Sequence, residues 1–190
     1  MKKHIVTSVL YTLITAVVLG IGYPLVVTGL ARVFFPKQAN GSLIYKADGT
    51  LVGSRLIGQP FDGPGYFWSR PSAAGNGYDA SNSSGSNYAP TNAALPARVA
   101  ATVQTLNPKG TSGPVPIDLA TASGSGLDPD ISPAAAFYQV ARVAAERHLS
   151  EDQVRALVTS HITPRQFGLL GEPRVNVLQL NLDLDQAAGK

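Results

Sequence analysis

The stretch IVTSVLYTLITAVVLGIGYPLVVTGLA, residues 5–31, decides how this chain is read. No Asp, Glu, Lys, Arg or His interrupts it. A bilayer core about 30 Å thick is crossed by roughly 20 apolar helical residues. At about 1.5 Å per residue this run exceeds that length and spans with some tilt. Everything after it is polar, Gly- and Pro-rich and globular in balance. The expected organisation is residues 1–36 as a cytoplasmic start and a transmembrane helix spanning about 8–31, then residues 37–190 as one extramembrane domain. A cleaved secretory signal also begins with basic residues such as Lys2 and Lys3. Its apolar part runs about 7–15 residues and ends at a small-x-small site, which this run does not match.

Charge sets the orientation. Lys2 and Lys3 stay in the cytoplasm under the positive-inside rule, while Arg32 and Lys37 oppose that bias from the other end. The expected topology is N-terminus inside and body outside. The chain has no cysteine, which fits either side of a membrane.

Stepping by four from Ser8 gives Thr12, Ala16, Gly20, Pro24 and Thr28, all small or able to bend a helix. Small residues are common in membrane helices, and a row of them also lets a neighbouring helix come close. Four residues turn an α-helix about 40° past a full turn, so the row winds around the helix and suits a crossing partner. Pro24 removes one helix hydrogen bond and is placed to bend the upper third.

Removing Lys2, Lys3 and Arg32 from the fifteen basic residues leaves twelve, equal to the twelve acidic ones. The formal charge of +3 therefore belongs to the anchor's flanks, and the body carries no stripe that would bind nucleic acid. Within the body, Ser42–Tyr45 and Leu51–Gly58 are expected to pair as a hairpin through Asp48-Gly49. The segment from Tyr66 to Ser72 sets Tyr66, Phe67 and Trp68 between Gly and Pro. It reads either as an edge of the core or as an aromatic contact surface that includes Arg70. Residues 75–92, GNGYDASNSSGSNYAPTN, read either as a solvated flexible loop or as a fixed loop, its ends pinned by Tyr78 and Tyr88, whose many hydroxyl and amide oxygens face something polar.

Helices are predicted over Ala93–Leu106, over Pro133–His148 behind a Ser132 cap, and over Glu151–His161 behind the capping box of Ser150 and Gln153. In the second of these, Ala136, Val140, Val143 and Ala144 form the apolar face. Gln139, Arg142, Glu146 and Arg147 lie elsewhere. Asn176 caps a C-terminal helix carrying Leu178 and Leu182, with an alternating strand as the other reading. Ser123-Gly124-Ser125-Gly126 lacks the Gly-Lys-Ser/Thr end of a phosphate loop and reads as a tight backbone crossing before an Asp128-Pro129 turn. The fold class is thus a single N-terminal transmembrane helix plus one α/β (α+β) domain with a small sheet and several helices.

The residues give little for catalysis. There is no thiol, and the three histidines, His4, His148 and His161, are dispersed. Ser125, His148 and Asp128 can be written as a triad, but no nucleophile elbow surrounds them. The acidic residues are not spaced as a metal set. Catalytic residues and metal ligands are both expected to be none.

Four strings carry a family resemblance: YFWSRPSA from Tyr66, YDASNSSGSN from Tyr78, ASGSGLDPDISP from Ala122 and GEPRVNVL from Gly171. They resemble KdpC, the small subunit of the bacterial high-affinity potassium-transporting Kdp ATPase, and the likeness covers essentially the whole chain. The resemblance implies a hetero-oligomeric complex in the bacterial inner membrane, with the body of this chain periplasmic. Its partners would be channel-like KdpA, the ATPase subunit KdpB, which holds the catalytic residues, and the small KdpF peptide. It implies an accessory, non-catalytic role that assembles KdpA and KdpB. The family also implies a catalytic chaperone that raises the ATP affinity of KdpB. ATP and potassium are then handled by the complex, with no cofactor assigned to this chain. Residues expected to face a partner or entering cations are Tyr66, Arg70, Asp79, Asn82, Ser84, Asn87, Ser125, Asp128 and Asp130. The competing reading from another class is a membrane-tethered envelope enzyme or cell-wall binder acting alone.

Overall fold

The computed structural model describes residues 1–46, 48–108, 110 and 113–187. They divide into two compact units, Met1–Ser54 and Arg55–Lys190. The fold class read from the sequence holds: one N-terminal apolar helix, and an α/β domain with small sheets and several helices.

In the first unit, α1 (Lys2–Val17) and α2 (Tyr23–Phe34) are joined through a wide turn at Val18–Gly22. Together Lys2–Phe34 form a helix of 33 residues, its most apolar 18-residue stretch with a mean hydropathy of 2.1 and none of its residues buried. It is long and apolar enough to cross a membrane. Tyr23 donates its N–H to Val18 O, five residues back rather than four. Pro24 explains the widening. Its ring crowds the carbonyl one turn below and it has no N–H to offer, so the turn before it opens. The hydroxyls of Ser8 and Thr15 donate to His4 O and Tyr11 O, each at 2.8 Å, which keeps them satisfied within the helix.

A short α3 (Pro36–Ala39) precedes the hairpin of β1 (Leu43–Tyr45) and β2 (Leu51–Ser54), antiparallel with a bulge at Ile44/Tyr45. Asp48 Oδ1 accepts from Thr50 N at 2.8 Å and braces the turn; Ala47 lies outside the described residues. The second strand is shorter than expected. It stops at Ser54, and at Gly58 the N–H donates to Leu127 O at 2.8 Å rather than to a strand partner.

In the second unit, α4 (Ala94–Leu106) is half-buried on the face of Leu95, Val99, Val103 and Leu106. After α5 (Ile117–Ala120) come β3 (Asp130–Ile131), α6 (Pro133–Arg147), α7 (Glu151–Ser160), β4 (Ile162–Thr163), β5 (Arg174–Asn176) and α8 (Val177–Ala187). The three strands form an antiparallel sheet in the order β3-β5-β4, pairing Ile131 and Ile162 with Val175. Helix α7 packs between α6 and α8, and α6 and α8 pack on β5. Phe67, Val140, Val154, Val175, Leu180 and Leu184 are fully enclosed at their centre.

The caps read from the sequence set the helix starts. Ser132 Oγ accepts from Ala135 N at 3.0 Å, Ser150 and Gln153 complete the capping box, and Asn176 Oδ1 accepts from Gln179 N at 3.2 Å. The helix α6 ends one residue early because His148 turns left-handed, with φ +57°. His161 does more than close its helix. Its Nδ1 lies 2.9 Å from Leu157 O and its Nε2 2.8 Å from Asp183.

Candidate functional site: two interlocked polar loops

Phe67 and Trp68 are held by two side-chain amides that behave as a substitute strand. Phe67 N donates to Asn181 Oδ1 at 2.8 Å, and Asn181 Nδ2 donates back to Phe67 O at 2.9 Å. Gln139 does the same for Trp68, accepting at 2.8 Å and donating at 3.1 Å. Both amides are buried, so each backbone group they satisfy would otherwise be left unpaired. This corrects the expectation that Gln139 belongs to the polar side of α6. Arg142 lies over the Trp68 ring at 3.8 Å and donates to Tyr66 O at 3.0 Å and to Pro64 O. Burial pushes its guanidinium down to about 10, so it remains charged at neutral pH.

The aromatic run is therefore the core edge of the two readings. Phe67 is enclosed and Trp68 donates its indole N–H to Gly63 O at 3.0 Å. Tyr66 lies under Arg147 at 4.3 Å, and its hydroxyl donates to Asp185 at 3.3 Å. Arg70 turns inward as well. It pairs with Asp128 at 3.0 Å, the two side chains 25% and 29% exposed.

From Arg70 the chain enters the polar loop, which is fixed rather than flexible. Ser72 Oγ donates to Gly126 O at 2.7 Å and accepts from Tyr78 N at 2.8 Å. Tyr78 donates its hydroxyl to Arg70 O, and burial raises the pKa of that phenol. Tyr88, expected to pin the far end, is 42% exposed instead. Asp79 caps a single turn at Ala80–Asn82, accepting from Ser81 N, Ser81 Oγ and Asn82 Nδ2. These bonds, the Ser81 hydroxyl first, hold its carboxyl below the ordinary range. Asn87 is exposed, with φ +52°.

The second loop, Ser123–Asp130, packs backbone against backbone on the first. Ser84 Oγ donates to Ala73 O at 3.1 Å and Ser83 Oγ to Ser125 O at 2.9 Å. Gly126 has φ +70°, and a Cβ there would stand 2.7 Å from Ala74. A Cβ on Gly85 would stand 3.1 Å from Gly124 O. Gly126 needs glycine for backbone to lie on backbone, and Gly85 leaves little room for more. Ser123 Oγ accepts from Gly126 N at 2.8 Å and Ser125 Oγ from Leu127 N at 3.1 Å, so both hydroxyls are engaged within the crossing.

The acidic groups of the surface are paired too. Asp128 accepts from Asp130 N at 3.0 Å as well as from Arg70, which is the partner it holds in place of His148. Asp130 pairs with Arg174 at 3.0 Å and accepts from Asn176 Nδ2 at 3.1 Å. Among the described residues no group of three or more His, Cys, Asp or Glu could hold a metal ion. Beside Arg70 a cavity of about 520 Å³ opens between Phe61, Trp68, Tyr78, Leu106 and Leu119.

The structure thus brings Arg70, Ser84, Ser125, Asp128 and Asp130 into one braced surface, with Asp79 and Asn82 on its adjoining turn. Tyr66 is tied to Arg147 and Asp185. Ser8, Thr12, Ala16, Gly20, Pro24 and Thr28 lie on the exposed N-terminal helix. Gln139 and Asn181 were missed as backbone-holding residues. Their signal was a lone amide among apolar neighbours, with Ala136, Val140 and Val143 around one and Leu178, Leu180 and Leu184 around the other.

The model of the KdpC family, described as the K+-transporting ATPase, c chain, matches residues 5–186. A potassium-transporting ATPase KdpC subunit from Koribacter versatilis is 60% identical over 185 residues, covering 97% of this chain and 95% of that one. The subunit of the same name from Acidobacterium capsulatum is 61% identical over 184 residues, covering 97% and 98%. That from Methylococcus capsulatus is 56% identical over 188 residues, again covering 97% and 98%. With a full-length match of this kind, the chain belongs to the KdpC family, the c chain of the potassium-transporting ATPase.

Proposed function

We propose that this chain is the non-catalytic assembly subunit of its potassium-transporting ATPase. Its helix lies in the bacterial inner membrane with the N-terminus cytoplasmic, and packs along Ser8, Thr12, Ala16, Gly20, Pro24 and Thr28 against a larger subunit. Its body stands on the periplasmic side and holds channel-like KdpA and the ATPase subunit KdpB together, with KdpF beside them. Potassium is handled by KdpA and ATP by KdpB, whose affinity for ATP this chain raises as a catalytic chaperone.

The observation that carries this reading is the exposed helix of 33 residues, none buried, in a chain of the KdpC family. Gly20 lies exposed on this helix, and a residue without a side chain lets a neighbouring helix come close. The braced carboxylates support a structural rather than catalytic body. General acid–base work needs a group free to give or take a proton, whereas Asp128 and Asp130 each hold an arginine.

The test is purification of the full chain from native membranes in mild detergent. Copurification of the other ATPase subunits, lost in Ala16→Leu/Gly20→Leu, is the expected result. Recovery of the chain alone, or substrate turnover by it alone, overturns the reading.

A second reading is favoured by the rigidity of the interlocked loops: the body presents fixed oxygens to cations entering KdpA. Potassium suits carbonyl and hydroxyl oxygens. If Asp79, Asp128 and Asp130 changed together to Asn leave the apparent potassium affinity of the assembled complex as it was, this reading fails.

A further inference from the structure

Between β4 and β5 the chain makes a narrow projection, residues 164–173, that no function described so far uses. Gln166 and Leu170 bridge across it: Gln166 N donates to Leu170 O at 2.8 Å and Leu170 N to Gln166 O at 2.9 Å. At its base Arg165 and Glu172 form an ion pair at 2.5 Å. At its end stand Phe167, Leu169 and Leu170, which are 84%, 79% and 61% exposed. Phe167 is left-handed, with φ +55°, a conformation that L-residues with bulky side chains rarely adopt. The backbone strain and the exposed apolar surface fall on the same residue. Backbone held against its preference concentrates at sites that clamp a ligand or partner.

Three occupants are possible for such a tip, and the observations separate them. A second copy of this chain, to which the assembly reading gives no other attachment, is disfavoured by area. The three side chains offer on the order of 400 Å², against about 800 Å² per partner in a standard interface. A lipid surface is disfavoured by charge and shape. Interfacial binders carry unpaired basic residues toward anionic headgroups, whereas Arg165 is closed on Glu172 and the tip itself is neutral. A fluid bilayer also asks for no fixed shape, yet this tip is fixed by its bridge and by left-handed turns at Phe167, Gly168 and Gly171. What complements a small, neutral, preorganised apolar tip is a small, uncharged pocket on a protein already held nearby. A contact too small to hold two free proteins suffices when a second attachment supplies the effective concentration.

We infer that the Phe167–Leu169–Leu170 tip is a docking element that inserts into an uncharged apolar pocket on another subunit of the ATPase. This rests on the assembly reading above, and it adds a second point of attachment on the body, independent of the membrane helix.

The experiment uses the full chain in its native membranes. Phe167 is replaced by the photo-crosslinker benzoylphenylalanine, the membranes are irradiated, and the products are identified by mass spectrometry. A crosslink to another subunit of the ATPase is expected. In parallel, Phe167→Ser/Leu169→Ser is expected to retain its thermal unfolding midpoint while about tenfold less of the partner subunits stays bound through detergent washing. Crosslinks only to lipid, crosslinks only to a second copy, or no crosslink together with unchanged retention each overturn the inference. If the unaltered chain copurifies with its partners in those cases, the tip alone is refuted. If the unaltered chain retains no partner, the assembly reading falls and the docking element falls with it.

Discussion

Two loops of the same body, residues 75–87 and residues 164–173, stand in opposite relation to their own side chains. The first is almost wholly polar, and several of its side chains are turned onto protein: Ser83 and Ser84 donate to Ser125 O and Ala73 O, and Asp79 accepts from Ser81 and Asn82 within the loop. The second is closed by backbone bonds, so its apolar side chains are free to point outward. Hydropathy alone would exchange the two. What separates them is which groups satisfy the backbone. A loop that uses side chains for that purpose has fewer left to offer, and a loop closed by backbone turns keeps its apolar ones free.

The largest break in this contrast should come from the crossing itself. Gly126→Val forces a branched side chain into a left-handed residue against Ala74. It should destabilise the body by about 3 kcal/mol or more, read as a lowered thermal midpoint of the full chain in detergent. Next is the other place where side chains stand in for backbone. Asn181→Leu keeps the volume but strands Phe67 N–H and C=O, for a loss of about 2–4 kcal/mol in the same measurement.

Asp128→Asn keeps the shape and removes the charge. The Arg70 pair is partly exposed, so the loss should be about 1 kcal/mol, and it should shrink when Arg70→Gln is already present. The apolar loop predicts the opposite sign. Phe167→Asn places a residue that tolerates the left-handed region where a bulky one now sits, and should stabilise the body by up to about 1 kcal/mol. A polar replacement that raises the thermal midpoint would mark Phe167 as kept for something other than the fold.

The smallest effect is a local one in acid. The carboxyl of Asp79 is held below its ordinary value by Ser81 and Asn82, so its bonds are fully formed above about pH 4. As pH falls through its lowered value the carboxylate protonates and this contribution is lost. The amide resonance of Ser81 should shift there while those of the buried core stay in place.

The sequence was most legible where local chemistry fixes geometry. Ser132 with Pro133, Ser150 with Gln153, and Asn176 each marked a helix start that the fold uses. The tight crossing at Ser123–Gly126 was legible from its glycines. The sheet β3-β5-β4 was not, because strands of two or three residues carry too little alternation to register a period. Whether the aromatic run was core or surface also lay beyond local pattern. It was settled by Gln139 and Asn181, which meet that run from 71 and 114 residues away. For the loop of residues 75–87 the fixed and the flexible readings could not be separated locally, since Ser83 and Gly85 meet Ser125 and Gly124 some forty residues further on.

The wide turn at Val18–Gly22 changes what the row from Ser8 to Thr28 can face. In a uniform α-helix five steps of four would carry that row about 200° around the axis. A π segment has roughly 4.4 residues per turn, so steps taken through it rotate backward and cancel roughly half of that drift. Straightened in this way, the small side chains run closer to a single meridian. A neighbouring rod could then lie alongside most of the span instead of touching it at one point.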